Sequence, residues 1–433
     1  MKVSVIGLGY LGTTHSTAMA KLGHQVIGIE SDPSRLALLQ SGKVPFHEPG
    51  LQEELQRQLA SGRLVFQSGH NDSSKDCDIH FICVGTPQGS NGEADTSYVV
   101  SAAKELAKNL RPESVVVGKS TVPVGTAREL KNLMSDIAGF EVHLAWNPEF
   151  LREGTALEDS LKPDRIVVGA WDHYSVEKIK EVYKPILATG TPFLSLDVET
   201  AELVKVAANA FLATKISFIN AMAEIAEAAG ADAVALAEAI GHDERIGKKF
   251  LRSGIGFGGG CLPKDIRGFI ARAEEIGAGS ALEFLKDIDQ INLRRRDKVV
   301  EIARQELGNV SGKKILVLGI SFKPDSDDLR DSPSLEIARK LAGLGASVTV
   351  HDPVALPALK DKSGLTVESD LVKAAKDAEL VILGTEWKEY RDLDPSVLEV
   401  KSKIVIDGRN ALDVDKWQKA GWKVIALGRN IKN

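Results

Sequence analysis

Short apolar runs alternate with helical patterns along this chain, and the first run is closed by a glycine-punctuated turn. KVSVIG, QVIGIE, IHFICVG, SVVVGKS and RIVVGA are near-continuous apolar stretches of strand length, the texture of parallel strands buried on both faces. Helical patterns lie between and beside them at 12–22, 50–60, 97–109 and 124–134. Such alternation implies right-handed crossovers and a doubly wound sheet. The first run passes directly into Gly7-Leu-Gly9-Tyr10-Leu11-Gly12 and then into a helix. In that setting the first glycine makes a tight turn, the second lets backbone approach a pyrophosphate, and the third lets helix and strand pack closely. The helix N-terminus adds unpaired N–H groups and a positive dipole end. The second run ends in Glu30, eighteen residues after Gly12, where a carboxylate can accept both ribose hydroxyls and would repel a 2′-phosphate. The expected cofactor is therefore NAD, held by Gly7, Gly9, Tyr10, Leu11, Gly12 and Glu30, with Arg35 close enough to soften the choice over NADP. Thr86 and Pro87, just after the third run, are expected at the carboxyl edge of the sheet, where ligands bind in such folds.

The texture changes at Glu199. The stretch 199–230 has no proline and no internal glycine before its last residue, and its apolar residues recur at three and four, which predicts a single long helix. A helix that long and apolar buries more than one face, so a second copy of the chain is an expected partner. Further helices are expected at 231–240, 263–276 and 280–303. Beyond a turn at Ser311-Gly312, KKILVLG, SVTVHD, LVILGTE and KIVIDGR repeat the strand texture, with helices at 333–344 and 369–376. The expected fold class is thus α/β: two doubly wound Rossmann-like domains, 1–197 and 306–433, joined by a helical central domain, 198–305.

Composition removes whole classes of function. A length of 433 residues suits three domains at roughly 150 residues each. A net charge of −6 argues against sequence-independent binding of nucleic acid, which needs a basic surface. No continuous apolar run reaches the roughly eighteen residues of a membrane span, and the first residues enter a strand without a signal-peptide layout. Three cysteines, Cys77, Cys83 and Cys261, make neither a disulfide framework nor a CxxC pair, so the expected setting is reducing and cytoplasmic. The His residues show no ligand spacing, and no metal site is expected. Arg294-Arg295-Arg296 with Lys298 reads as a solvated helix face, and the charged residues of 360–370 as an exposed loop.

The most informative segment is Arg252-Ser-Gly-Ile-Gly-Phe-Gly258-Gly-Gly-Cys261-Leu-Pro-Lys264-Asp265. Three consecutive glycines allow backbone conformations closed to other residues. A cysteine delivered at the start of the following helix feels its positive end and the nearby Lys264, both of which favour a thiolate. Asp265 falls one turn later on the same side. Cys77 and Cys83 read as buried and inert, but a glycine-rich loop is not a packed core position, and Cys261 is the candidate nucleophile.

Through that loop and several further motifs, the chain resembles the UDP-glucose 6-dehydrogenase family of nucleotide-sugar dehydrogenases over nearly its whole length. The resemblance rests on VIGLGY at 5–10, PFHEPGL at 45–51, Val84 to Pro87, STVPV at 120–124, NPEFLREG at 147–154, Phe257 to Asp265, and FKPDSDDLRDSP at 322–333. It implies oxidation of the primary alcohol of UDP-glucose to the carboxylate of UDP-glucuronate with two NAD molecules, through a thioester on Cys261. The residues suit that chemistry. A second hydride can leave only from a tetrahedral carbon, which thiolate addition to the aldehyde creates. Thioester hydrolysis needs an activated water, for which Asp265 and Glu149 are candidates. A developing oxyanion needs a donor, and Lys205 and Asn209 stand four apart on the long helix, so both project from one face.

The resemblance further implies that Thr121 lies near the nicotinamide and the catalytic water, and that Glu153 sits one turn beyond Glu149. Phe150, Leu151 and Arg152 would line the sugar-nucleotide pocket. Arg245 would be donated across a homodimer, Phe250 and Arg252 would cover the UDP, and Gly258 would face substrate. Lys323 and Arg409 would contact substrate, while Arg330 and Lys264 would serve NAD. Arg252 stands where relatives often carry lysine, keeping charge but not geometry. GDP-mannose or a UDP-N-acetylhexosamine remains an alternative substrate, the latter disfavoured by Leu-Pro-Lys-Asp after Cys261. A one-step β-hydroxyacid dehydrogenase shares the first two domains but needs neither Cys261 nor the third. A non-catalytic sugar-nucleotide binder is the outlying reading.

Overall fold

The computed structural model describes residues 1–362 and 364–432. Compactness divides the chain into two units: residues 1–208 with 267–277, and 209–266 with the described chain from 278 onward. The expected boundaries at 197/198 and 305/306 fall inside these units, and the helices Val198–Ala229 and Leu262–Glu275 each begin in one and continue in the other. The reason is where apolar surface is buried. Among the described residues, Ala223, Ala226 and Ala233 of the central helices make only a small cluster. By contrast, Val299, Ile302 and Ala303 of the helix Glu283–Leu307 join the core of the second sheet.

The first unit is built on eight strands: β1 (Lys2–Ile6), β2 (Gln25–Ile29), β3 (Leu64–Gln67), β4 (Ile79–Ile82), β5 (Val115–Gly118), β6 (His143–Trp146), β7 (Ile166–Ala170) and β8 (Phe193–Leu196). Their order is β3-β2-β1-β4-β5-β6-β7-β8. The order reverses between β1 and β4, the point where such sheets open a crevice beyond their carboxyl ends. RIVVGA was expected to run parallel to its neighbours, but β7 pairs antiparallel with β6 and parallel with β8. The connection from β6 to β7 explains this. Its helix, Ala156–Leu161, packs on the helix Tyr10–Lys21, so the chain turns back at the same edge.

The second unit carries β9 (Lys314–Leu318), β10 (Ser347–His351), β11 (Leu365–Val367), β12 (Leu380–Leu383), β13 (Ile404–Asp407) and β14 (Lys423–Ala426), all parallel, in the order β11-β10-β9-β12-β13-β14. Its first turn keeps one glycine, Gly319 with φ +84°, packed on Thr385. Ser321 and Pro324 stand where the other two glycines of such a loop would be. Asp352, after β10, accepts the amides of Ile320 and Ser321 at 2.8 and 3.0 Å and the Trp387 indole at 3.3 Å. This repeats the carboxylate-on-turn device of the first sheet but fills it with protein.

The long helix expected at 199–230 is Val198–Ala229. By length and windowed composition it is long and apolar enough to cross a membrane, with 44% of its most apolar window buried, although no continuous apolar run within it reaches eighteen residues. Its polar groups are nevertheless engaged with protein: Glu202 accepts the amides of Gly125 and Ala127, Ser217 donates to the Ile288 carbonyl, and Asn220 accepts the Gly254 amide. The stretch 360–370 is not simply a loop. Position 363 lies outside the described residues, 365–367 form β11, and Asp370 caps the helix Leu371–Ala375. The basic run corrects the expectation of a solvated face, because Arg295 and Arg296 are buried at 0% and 1% exposure. They are paired with Glu224, Glu227, Asp331 and Glu336.

Candidate active site

Gly7 and Gly12 of the dinucleotide loop are demanded by the chain itself. A Cβ on Gly7 would fall 2.5 Å from the Val84 side chain, and one on Gly12 would fall 1.8 Å from the Gly7 carbonyl oxygen. Gly9 differs: a Cβ there meets nothing within 4 Å. Its missing side chain therefore leaves room for a ligand rather than for protein, as expected of the glycine that admits a pyrophosphate. Glu30 is buried and accepts the amides of Leu8 at 3.0 Å and Asp32 at 2.9 Å, and Arg35 at 3.1 Å. Arg35 is thus tied to the carboxylate expected to accept the ribose hydroxyls. The residues fit the dinucleotide. Thr86 donates to the Thr121 carbonyl at 2.7 Å, joining the loops after β4 and β5. Leu11 packs partly on the first core, and the Tyr10 hydroxyl turns away from the loop to donate to Glu48.

A second cluster of the same unit gathers around Glu149. Lys205, buried on the long helix, approaches Glu149 at 2.8 Å, and the Leu151 amide donates to it at 2.6 Å. Burial pushes this carboxyl up, but the Lys205 charge, its hydrogen bond and the Leu151 amide outweigh burial and hold it below the usual range. Phe150 is flanked by Arg165 at 3.9 Å and Lys205 at 5.8 Å from its ring centre. Arg152 is bound to Asp159, which raises its pKa, and Glu153 is half-buried beside it. Lys119 was not anticipated. It is buried, donates to Asn147 at 3.1 Å, and is pushed down to about 8, chiefly by burial, with the Glu149 charge acting the other way. The sequence marks it only as a lysine closing a buried strand.

In the second unit Cys261 is exposed and immediately precedes the helix Leu262–Glu275, accepting the Asp265 amide on its carbonyl at 2.8 Å. Asp265 is buried. It receives the Asn209 amide group at 2.6 Å and the Lys264 ammonium at 2.7 Å. Cys77 and Cys83 are buried as expected, their thiols pushed up to about 12 by burial. The glycines before Cys261 are needed more for close approach than for unusual backbone. Cβ atoms on Gly258 and Gly260 would fall 2.1 Å from the Asp331 carbonyl oxygen and 2.2 Å from the Arg330 guanidinium carbon. Of the three, Gly259 has the left-handed conformation, φ +87°, and lies against the Phe322 ring. The loop is therefore pressed on the 322–333 segment.

Residues that sequence reasoning missed hold that loop. Asn292 brackets Phe257, accepting its amide at 2.7 Å and donating to its carbonyl at 3.0 Å. Arg296 donates to the same carbonyl at 3.2 Å and to Asp331 at 2.7 Å. Arg409, expected against substrate, has its half-buried guanidinium donating to the carbonyls of Gly384, Gly256 and Phe322 at 2.7, 2.8 and 3.2 Å. The other expected substrate and cofactor residues engage neighbouring side chains or are exposed. Arg252 faces Glu386 at 3.5 Å, Lys323 lies 5.5 Å from the Phe322 ring centre, and Arg330 is bound to Asp328. Phe250 is part-exposed with φ 63°, and Arg245 is exposed and bound to Asp243 at 2.6 Å.

Three consecutive stretches of the chain match models of one family. Residues 1–187 match the NAD binding domain of the UDP-glucose/GDP-mannose dehydrogenase family, 199–294 its central domain, and 316–414 its UDP binding domain. A UDP-glucose 6-dehydrogenase of Rhizobium meliloti is 39% identical, over 99% of this chain and 100% of its own. One from Bacillus subtilis, TuaD, is 37% identical, over 99% of this chain and 93% of its own. Among solved structures, a UDP-glucose dehydrogenase from the hyperthermophilic archaeon Pyrobaculum islandicum superposes with a TM-score of 0.91 at 39% identity, covering 99% and 98% of the two chains. Matched by these three domains over most of its length, the chain belongs to the UDP-glucose/GDP-mannose dehydrogenase family.

Proposed function

We propose that the chain oxidises the primary alcohol of UDP-glucose to UDP-glucuronate, consuming two NAD and one water and releasing two NADH and three protons. The observation that carries this reading is Cys261, presented on an intolerant glycine loop at the head of a helix. Relatives that share the whole length and bear the name of UDP-glucose dehydrogenases support the choice of sugar nucleotide over GDP-mannose. Gly7, Gly9, Gly12 and Glu30 hold the dinucleotide, with Thr86 and Thr121 beside it. Bound NAD supplies the hydride acceptor for both oxidations.

The remaining chemistry belongs to the side chains. As the first hydride leaves the carbon, Asp265 takes the proton of the sugar hydroxyl through a water. The Lys205 ammonium donates to the oxygen as negative charge develops there, and Glu149 keeps that ammonium in place. After the first oxidation the Cys261 thiolate adds to the aldehyde carbon, and the oxygen becomes the anion of a thiohemiacetal, stabilised by donors such as Lys205 and Asn209. Loss of the second hydride leaves the thioester. Asp265 or Glu149 takes a proton from water as it attacks. The carbon–sulfur bond then breaks, regenerating the thiolate and leaving a carboxylate. Arg252, Phe250 and Lys323 serve the nucleotide, and Arg409 serves it indirectly by shaping the loop. We read the protein as a cytoplasmic enzyme and a homodimer: Phe211, Phe218 and Ile225 form an exposed apolar stripe on the long helix, stepped by seven residues.

The test is the NADH yield per sugar, measured with UDP-glucose, GDP-mannose and UDP-N-acetylhexosamines. Two NADH per UDP-glucose, with UDP-glucuronate as product, are expected. One NADH would favour a one-step β-hydroxyacid dehydrogenase, and turnover confined to GDP-mannose would overturn the substrate. Cys261→Ala is expected to stop the second oxidation, and unchanged NADH production would remove the thioester.

A further inference from the structure

Glu48, in the PFHEPGL stretch, takes no part in the chemistry above, yet it is almost completely buried, at 6% exposure. Its two oxygens are shared between distant parts of the first unit. Oε1 accepts the Ala156 amide at 2.7 Å, and Oε2 accepts the Gly154 amide at 2.7 Å. Oε2 also receives the Tyr10 hydroxyl. Tyr10 is the first residue of the helix that follows the dinucleotide loop, and its ring packs against Phe46, with centres 4.8 Å apart. Gly154 closes NPEFLREG, the loop carrying Glu149, Phe150, Leu151 and Arg152. One carboxylate thus fixes the end of the proposed sugar loop and the start of the proposed cofactor helix together.

A buried carboxylate with three donors is costly to disturb, because each donor it loses is left unpaired inside the protein. If the Tyr10 backbone shifts when the dinucleotide seats, its hydroxyl pulls on the oxygen that also anchors Gly154. We infer that Glu48 is a positioning residue that couples occupancy of the dinucleotide loop to the conformation of the sugar loop. This rests on the proposed reaction for its substrate, but not for its geometry. The coupling is reciprocal, since two ligands that bias one element change each other's affinity by the same factor.

Three full-length variants test it: Glu48→Gln, Tyr10→Phe and the double substitution, each measured for KM, kcat and thermal unfolding. Tyr10→Phe lies on the cofactor side, yet it is expected to raise the KM for UDP-glucose by about fivefold or more, the range of a modest coupling. Glu48→Gln should raise the KM for both substrates. The double variant should be no worse than Glu48→Gln alone, because both changes break one shared link. Lower unfolding temperatures with both KM values unchanged would reduce Glu48 to a structural role, and additive effects would overturn the link. Hydrogen exchange of residues 149–156 with and without NAD makes the test independent of the sugar. Protection by NAD in the wild type that Tyr10→Phe abolishes is expected, and no protection in the wild type would overturn the coupling. Absence of UDP-glucose turnover would instead fail the proposed reaction. Should Glu48→Gln not fold, Tyr10→Phe carries both measurements.

Discussion

Burial and hydrogen bonding oppose each other at Glu202. Its carboxylate accepts the amides of Gly125 and Ala127, both at 2.7 Å, and so caps the helix Thr126–Ala138 that follows STVPVG. Burial wins, raising this carboxyl from 4.5 to about 7. The folded protein therefore binds this proton more tightly than the unfolded chain does. The group's contribution to stability is full below pH 4.5 and is lost as pH rises through about 7. Glu202→Gln is expected to flatten that part of the profile. In urea unfolding from pH 4.5 to 7.5, the variant should gain on the wild type as pH rises, and a constant difference would contradict the cause. Such residues were not legible in the sequence. Cys261, Glu30 and Lys205 announce themselves by residue type and motif. Glu202 meets amides 75 and 77 residues away, and no local spacing encodes that meeting. Arg295 and Arg296 were misread for the same reason, since their carboxylate partners on other elements do not mark the local pattern.

At the scale of elements, the glycines before Cys261 have different reasons to be glycine. At Gly258 the obstacle is backbone, the Asp331 carbonyl oxygen, which cannot swing away. At Gly260 it is the far end of the Arg330 side chain, which can. Gly258→Ala is expected to destabilise by about 1–3 kcal/mol, the range for overpacking, and to lower kcat by displacing Cys261. Gly260→Ala should cost under about 1 kcal/mol, in the ordinary range for a change the surroundings absorb. Equal losses in parallel denaturant titrations would show that the loop does not lie on 322–333 as described. Elements with a clear apolar pattern were readable in advance: the helix Val198–Ala229 and strands β1, β2, β4 and β5 fall where the pattern put them. Strands β3, β6, β8, β11 and β14 were not foreseen. Length does not set them apart, since β4 and β5 are also four residues long; β3, β8, β11 and β14 carry exposed or half-buried residues that break the apolar run. The reversed direction of β7 depends on where the helix Ala156–Leu161 packs, which no strand pattern records.

For the whole molecule, the stripe on the long helix is the feature left to account for. Phe211 is 66% exposed, Phe218 47% and Ile225 59%, and a step of seven residues brings each back to nearly the same face of a helix. Leaving three such side chains in water forgoes roughly 1.5–3 kcal/mol each in burial, so a covering surface is strongly favoured. A second copy suits this, because a two-fold axis brings the same stripe from each chain together. The wild type should therefore run at about twice 46.6 kDa by light scattering, with an unfolding temperature that rises with protein concentration. Phe211→Glu with Phe218→Glu places charge in the stripe and should give the monomer mass. The reading of Arg245 as a residue donated across the dimer then has a consequence of its own. The monomeric variant should keep its affinity for NAD, whose proposed ligands lie in one chain, but lose affinity for UDP-glucose. Restoring dimers by raising the concentration of a milder single variant, Phe218→Ala, should restore the sugar affinity in parallel with the mass. A wild type that stays at the monomer mass at micromolar concentration would remove the dimer, and a fully active monomer would remove Arg245 from the partner's site.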